Sequence, residues 1–353
     1  MRLERRHQTS RAALLLAPLA AIAFTLLISG LLVLWAGAPV GRTYALLLQG
    51  GFGSVFAWSE TLTRAIPLIL TGLAATVAFK ARLFNIGAEG QLYAGALAAI
   101  AVGGLHGGTG VELPAWLLFP LMVAAAATAG ALLLLGPALL KNKLGVDEVV
   151  TTLLLNFIVL LGVGALLDGP MKDPAAMGWP QSVVLQPALE LGKLVAQTRL
   201  HTGLLWAIAL ALMVWVIFKY TVLGFDIRAV GANARAAAFA GVPVTRTVVT
   251  VALLSGALAG LAGAIEVAGR TSYVTLDMSP GYGYSGIVIA MLAGLHPLGV
   301  LVAAVFVAGM LVGADTMSRA VGVPTYIADV IVAASLIAVL VATLLTQYRL
   351  RGK

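Results

Sequence analysis

The sequence predicts an all-α, polytopic helical membrane protein of about ten crossings, eight at the fewest. Three observations carry that reading. Of 353 residues, 61% are hydrophobic and only 10% are charged, whereas a water-soluble domain carries roughly 25% charged residues. The apolar residues gather into blocks, several of about 18 to 25 residues, long enough to cross a hydrocarbon layer as a helix. The blocks are apolar on every face, whereas strands of a membrane barrel alternate apolar and polar side chains. Lipid offers the backbone no partner, so each crossing closes its own hydrogen bonds as a helix.

The crossings lie near residues 12–35, 62–79, 86–104, 115–140, 148–167, 203–218, 247–268, 283–294, 297–314 and 326–346. The first follows Arg2, Arg5, Arg6 and Arg11. Its apolar run of about 23 residues exceeds the roughly 7 to 15 of a signal-peptide core, so it is expected to stay as a span. With the N-terminus inside, 15 of the 22 basic residues fall on cytoplasmic segments, the asymmetry that orients membrane helices. Both termini are therefore expected inside, with some helices short or broken. The stretch "GYGYSGIVIAMLAGLHPLG" holds only about a dozen apolar residues before His296-Pro297, too few to span at about 1.5 Å per residue. It is either a half-helix or one limb of a kinked span with the segment that follows.

Residues 1–353 are expected to form a single transmembrane domain. The loop 168–202, with Pro170, Pro174, Pro180 and Pro187, is expected to fold over the outer face, and 222–246 to form a cytoplasmic loop. The absence of cysteine excludes disulfides and thiolate metal sites. A net charge of +8 is accounted for by orientation in the membrane and calls for no nucleic-acid partner.

A search for chemistry returns blanks. There is no G-x-x-x-x-G-K-[ST] phosphate loop. His7, His106, His201 and His296 share no metal-ligand spacing, and no nucleophile elbow is present. Catalysis is not expected, and transport or channel activity is the class that remains. The stretch "NIGAEGQ", Asn85 to Gln91, places polar groups at the mouth of an apolar helix. Asn85 and Glu89 suit capping and the positive end of the helix dipole. Polar side chains inside a membrane helix equally mark a solute path, especially at interrupted helices. In "LGVDEVVTTLLLNFI", Asp147 suits a cap and the threonines bond back to their own helix. Asn156 is expected to bond across helices or to line the path. Tyr273, Tyr282 and Tyr284 suit either an interfacial aromatic belt or stacking on a flat ring. Gly256 and Gly260 form a small-xxx-small packing face. Asn233 to Ala240 predicts a short surface helix, capped by Asn233 and ended by Gly241-Val242-Pro243. Such a helix suits docking into a groove on another protein or lying on lipid headgroups.

Together, "FNIGAEGQLYAGALAA", "GVDEVVTTLLLNFI", "LGFDIRAVGANARAAAFAG", "LSGALAGLAGAIEVAG" and "GYGYSGIVIAMLAGLHPLG" resemble the permease subunit of bacterial nucleoside ABC importers. That family lies within a broader group holding ribose-type sugar and branched-chain amino-acid permeases. The resemblance covers residues from about 60 to 345 in the family order. It implies a multi-pass subunit of the bacterial plasma (inner) membrane, importing nucleosides, with purine nucleosides favoured. It also implies a substrate-binding lipoprotein, a second and shorter permease subunit, and cytoplasmic ATPase subunits that carry ATP and Mg, with no cofactor in this chain. The expected substrate path includes Asn85, Glu89, Gln91, Asn156, Tyr282 and Tyr284. The expected coupling to the ATPase runs through Asn233, Arg235, Ala236, Ala237 and Gly241. Arg235-Ala236-Ala237-x-x-x-Gly241 is similar to the Glu-Ala-Ala-x-x-x-Gly docking motif of many importers, with Arg235 standing where that motif has its acid. The alternatives are a permease for a sugar or branched-chain amino acids, and a stand-alone proton-coupled transporter using Glu89 or Glu266.

Overall fold

Segments apolar on every face have no stripe to turn toward water, and they become helices whose backbone is satisfied internally. The computed structural model describes residues 2–5, 27, 29–106, 108–322, 330, 333, 334, 337, 338, 341 and 348–351. Its helices are α1 (Ser29–Trp35), α2 (Val40–Phe52), α3 (Val55–Lys80), α4 (Ala88–Gly103), α5 (Ala115–Leu144), α6 (Glu148–Asp168), α7 (Gly203–Tyr220), α8 (Val222–Ala232), α9 (Ala234–Phe239), α10 (Val244–Glu266), α11 (Tyr282–Leu292) and α12 (Pro297–Val321). The only sheet among the described residues is an antiparallel pair, β1 (Arg2–Arg5) with β2 (Tyr348–Arg351). This short pair joins charged ends outside the apolar blocks, and the blocks themselves are helical, as the all-α expectation has it.

Among the described residues, six helices are long and apolar enough to cross a membrane: α3, α5, α6, α7, α10 with the π-turn Val267–Thr271, and α12. They coincide with the second, fourth, fifth, sixth, seventh and ninth expected crossings. The third is α4, of 16 residues, and the eighth is α11, of 11. A bent pair, α1 and α2, meets at 116° and would make a seventh crossing. The first expected crossing, 12–35, lies mostly outside the described residues, as does the tenth, 326–346.

Three segments differ from expectation. Residues 40–52 were expected to lie outside any span, yet they form α2, which starts after Gly37 (φ 74°) and Pro39 turn the chain. Residues 222–232 were expected as loop, yet they form α8, because the Thr221 hydroxyl accepts from the Gly224 amide at 3.1 Å and caps it. The two readings of the eighth crossing resolve in favour of a separate short helix. Gly294 (φ 60°) and Leu295 (φ 56°) are both left-handed, and this break separates α11 from α12.

The described residues group into two compact units, Met1–Leu62 with Val305–Lys353, and Thr63–Ala304. In the first, α2 and the end of α12 approach backbone to backbone. A Cβ at Gly313 would lie 2.1 Å from the Leu47 carbonyl oxygen, and one at Gly51 would lie 2.3 Å from that of Gly309. Val33, Ala38, Leu47, Ala314 and Met317 form the core of this unit.

In the second unit, α10, α4 and α5 pack on one another, with small residues at the crossings. A Cβ at Gly256 would lie 2.3 Å from the Gly130 carbonyl oxygen, and one at Gly260 2.3 Å from that of Ala126. Toward α4, a Cβ at Gly263 would meet the Leu92 carbonyl oxygen at 2.0 Å. No side chain fits these crossings, which is the packing that Gly256 and Gly260 foretold.

The loop 168–202 is tied to the segment after α10. The Ser182 amide donates to Val274 O (3.0 Å), the Leu185 amide to Ser272 O (2.7 Å) and the Ser272 hydroxyl to Glu190 Oε1 (2.7 Å). It contains one 3-10 turn, Pro187–Leu189. His201 closes the loop in a buried slot, with Nδ1 accepting from the Gly203 amide at 3.2 Å. Burial, and next the Arg270 cation, push its pKa down from 6.5 to about 4.

Two outcomes follow from these contacts. Gly260→Leu forces a side chain into the α10–α5 crossing, and it should lower the melting temperature of the purified protein or abolish folded yield, since overpacking costs about 1–3 kcal/mol or more. His201 stays neutral in the fold but accepts a proton once unfolded, so its contribution is complete above pH 6.5 and is lost as pH falls toward about 4. Melting temperatures measured across that window should fall less for His201→Gln than for the parent.

Candidate functional site

Between α3 and α4 the chain leaves helical geometry. Arg82 is left-handed (φ 55°), and residues 83–86 run without helical hydrogen bonds until α4 begins at Ala88. Leu83 and Asn85 are buried in this break while Arg82 and Phe84 are exposed, and a buried amide or carbonyl left unpaired costs about 1–3 kcal/mol. The groups of the break are met by one face of α6. Glu148, Thr152 and Asn156 stand four residues apart, on one side of that helix. The Phe84 amide donates to Glu148 Oε1 at 3.1 Å and the Ile86 amide to Thr152 Oγ1 at 3.1 Å. Asn156 Nδ2 donates to Ile86 O at 2.9 Å, while its Oδ1 accepts from the Gly90 amide at 2.8 Å. Lys141 pairs with Glu148 and donates to Arg82 O at 2.9 Å. The helix itself starts at Asp147, whose carboxylate accepts from the Val149 amide at 2.8 Å.

Asn85 and Gln91 close the other side. Asn85 Nδ2 donates to Gln91 Oε1 and Gln91 Nε2 donates to Asn85 Oδ1, both at 2.9 Å. Asn85 Oδ1 also accepts from the Gly87 amide at 2.9 Å, and Nδ2 donates to Ser255 Oγ on α10 at 3.1 Å. The Ser255 hydroxyl in turn donates to Ala74 O on α3 at 2.8 Å. The N-terminal residue of α4 is preceded by Gly87, and Asn85 acts on the Gly87 amide from within this network.

Glu89 belongs to a second junction, where the N-termini of α4 and α11 meet. Its Oε2 accepts from the Gly283 amide at 2.6 Å, with Ser279 and Gly281 donating as well. A Cβ on Gly283 would lie 2.2 Å from the Glu89 nitrogen. The carboxylate thus faces the positive ends of two helix dipoles. Tyr93 extends the junction, donating to Leu276 O at 2.6 Å and accepting from the Ser279 amide at 3.2 Å.

Tyr282 and Tyr284 open α11 and diverge. Tyr282 is buried; its carbonyl accepts from Thr71 Oγ1 at 2.9 Å and its hydroxyl from Arg270 Nη1 at 3.1 Å. Arg270 also pairs with Glu266, and Arg64 lies close enough to bond the Tyr282 hydroxyl and to act on Glu266. Tyr284 is 38% exposed, and its hydroxyl accepts from Asn156 Nδ2 at 3.1 Å. The structure therefore brings Asn85, Glu89, Gln91, Asn156, Tyr282 and Tyr284 into one region around the start of α4. Glu148, Thr152 and Ser255 belong to it too. Their spacing at i, i+4 and i+8 was visible for the first two with Asn156, but what they bond to was not.

The short helix expected after α8 is α9. Asn233 Oδ1 accepts from the Arg235 amide at 3.0 Å and the Ala236 amide at 3.1 Å, and Gly241 (φ 85°) ends the turn. Ala237 is buried, while Asn233, Arg235, Ala236 and Gly241 are exposed. Gly231, just before, packs against the end of α3, where a Cβ would lie 1.9 Å from Lys80 O. Phe239 projects from α9 and is 98% exposed. Sequence reasoning passed over it; an aromatic in an alanine-rich surface helix was the available signal.

Comparison with known proteins agrees with this architecture. The family described as the permease component of the branched-chain amino acid transport system matches residues 57–340. The guanosine ABC transporter permease protein NupP of Bacillus subtilis is 36% identical over 92% of this chain and 92% of its own length. A glucose ABC transporter permease protein of Haloferax volcanii is 35% identical over 94% of this chain and 88% of its own. The nucleoside ABC transporter permease protein NupB of Lactococcus lactis is 32% identical over 90% and 88%. With most of its length matched and its apolar helices arranged as described, the chain belongs to this family of ABC transport permease components and is a multi-pass membrane protein.

Proposed function

We propose that this chain is one permease subunit of an ABC importer for nucleosides, purine nucleosides above all. It forms half of a translocation path in the bacterial plasma membrane, with about ten crossings and both termini cytoplasmic. A second, shorter permease completes the path, a substrate-binding lipoprotein delivers the solute, and ATPase subunits with their ATP and Mg supply the work. The observation that carries this reading is α9. A six-residue helix, pinned by Asn233 at one end and by Gly241 at the other, holds an almost fully exposed phenylalanine away from the rest of the chain. Burying one such side chain in a partner's groove is worth about 2 kcal/mol, which suits an anchor for an ATPase subunit better than a free surface. Arg235 beside it presents a cation to that partner.

The nucleoside assignment is supported by the guanosine and nucleoside permeases among the relatives. A sugar reading is favoured by the glucose permease, which is about as similar. Uptake of labelled guanosine, glucose and leucine by cells carrying the intact transporter separates these readings. Guanosine uptake that disappears with the ATPase partner supports nucleoside import; glucose uptake in its place would replace it. A proton-coupled transporter working alone would need a carboxylate free to release its proton on both sides. Glu89 is held by three donors and Glu266 by Arg270, an arrangement that favours roles in holding and gating the path.

Phe239→Ala should reduce nucleoside uptake tenfold or more, since about 1.4 kcal/mol is tenfold, while the purified complex keeps its basal ATP hydrolysis and loses stimulation by substrate. A bulky residue at Ala237 or Gly241 should give the same uncoupling. Glu89→Ala should abolish uptake with the complex still assembled, as measured by co-purification of the ATPase; failure to assemble would instead make Glu89 a support of the fold.

A further inference from the structure

At the C-terminal end of α10, about 35 Å along that helix from α9, the segment 271–278 and the tied-down loop 168–202 enclose an open cavity of about 500 Å³. That volume falls within the roughly 300–1,000 Å³ of small-molecule sites. Its walls include Trp179, Arg199, Arg270, Tyr273 and Asp277. Backbone hydrogen bonds from the Ser182 and Leu185 amides, and the bond from Ser272 to Glu190, hold those walls in place.

The chemistry of the walls is specific. Arg270 is 32% exposed at its side chain, and both of its hydrogen bonds, to Glu266 and Tyr282, leave from Nη1. Its Nε–Nη2 edge is therefore available, and that edge donates two parallel hydrogen bonds to a pair of acceptors. Asp277 is exposed and makes no hydrogen bond among the described residues. Trp179 and Tyr273 add aromatic faces. A 6-oxopurine matches each group: O6 and N7 accept from an arginine fork, N1–H and, in guanine, the N2 amino group donate to a carboxylate, and the ring stacks on an aromatic side chain. Adenine presents an N6 donor where the fork needs an acceptor and an N1 acceptor where the carboxylate needs a donor.

We infer that this cavity is an entry subsite for 6-oxopurine nucleosides such as guanosine and inosine, read by Arg270 and Asp277. The inference rests on the import reading, and it names a selectivity step in the membrane subunit itself.

The test uses the assembled permease–ATPase complex in lipid nanodiscs, without the binding protein, and equilibrium dialysis of labelled guanosine with unlabelled competitors. Guanosine and inosine should saturate one site, with adenosine and uridine weaker by about tenfold or more. Asp277→Asn should weaken guanosine by about tenfold and leave adenosine unchanged, and Tyr273→Ala should weaken all purines. Both positions lie on a surface segment outside the Glu266–Arg270 ion pair, so unchanged melting temperatures exclude misfolding. Equal affinity for all four nucleosides, no guanosine binding at millimolar concentration, or an Asp277→Asn complex that binds like the parent would each overturn the subsite. Guanosine uptake by intact cells is measured alongside. If uptake persists while the subsite fails, only this inference falls; if cells take up no nucleoside, the import reading falls with it.

Discussion

The break between α3 and α4 leaves backbone amides and carbonyls without helical partners, and the satisfaction of those groups organises the surrounding structure. Where the break is buried, at Leu83 and Asn85, each unmade bond would cost about 1–3 kcal/mol. The chain answers with Glu148, Thr152 and Asn156 on a single face of α6, and with the reciprocal amide pair of Asn85 and Gln91. The same groups tie α3, α4, α6 and α10 together, since Ser255 relays from Asn85 to Ala74. A continuous helix there would need none of these side chains, and the four elements would lose their polar contacts.

Around this knot the packing is set by glycine. At Gly256, Gly260 and Gly263 the α10 backbone lies within touching distance of α5 and α4. Interfaces so close do not deform gradually; they stay packed or come apart as units. Helix α10 is preceded by α9 at one end and carries the ion pair of buried Glu266 with Arg270 at the other.

Much of the fold was legible because lipid permits so few solutions. Runs without a polar face had to be helices, and the six described helices long and apolar enough to cross a membrane fall where the apolar blocks predicted them. Boundaries were less legible. The helix α3 starts at Val55, ahead of Trp58, Ser59 and Glu60, residues that diluted its apolar signal. The helices α2 and α8 were missed because Gly and polar residues in both lowered their hydrophobicity, while Thr221 and the turn at Gly37–Pro39 gave local starts that only the three-dimensional chain made plain. The candidate site was half legible. Polar residues inside apolar helices announced themselves at Asn85, Glu89, Gln91 and Asn156, yet the choice between capping and lining a path turned on partners far away in sequence.

By itself the sequence determined the class, the helical segments, the caps at Asp147 and Asn233 and the close-packing face of α10, because each depends on residues within a few positions of one another. The tertiary structure alone decided that the polar side chains of α6 serve the backbone of a different segment, that Glu89 joins two helix N-termini, and that Trp179, Arg270 and Asp277 share one cavity. Those hydrogen-bonded pairings of α6 and of Glu89 span 64 to 194 residues, and hydrogen bonds at that separation leave no periodic trace in the chain.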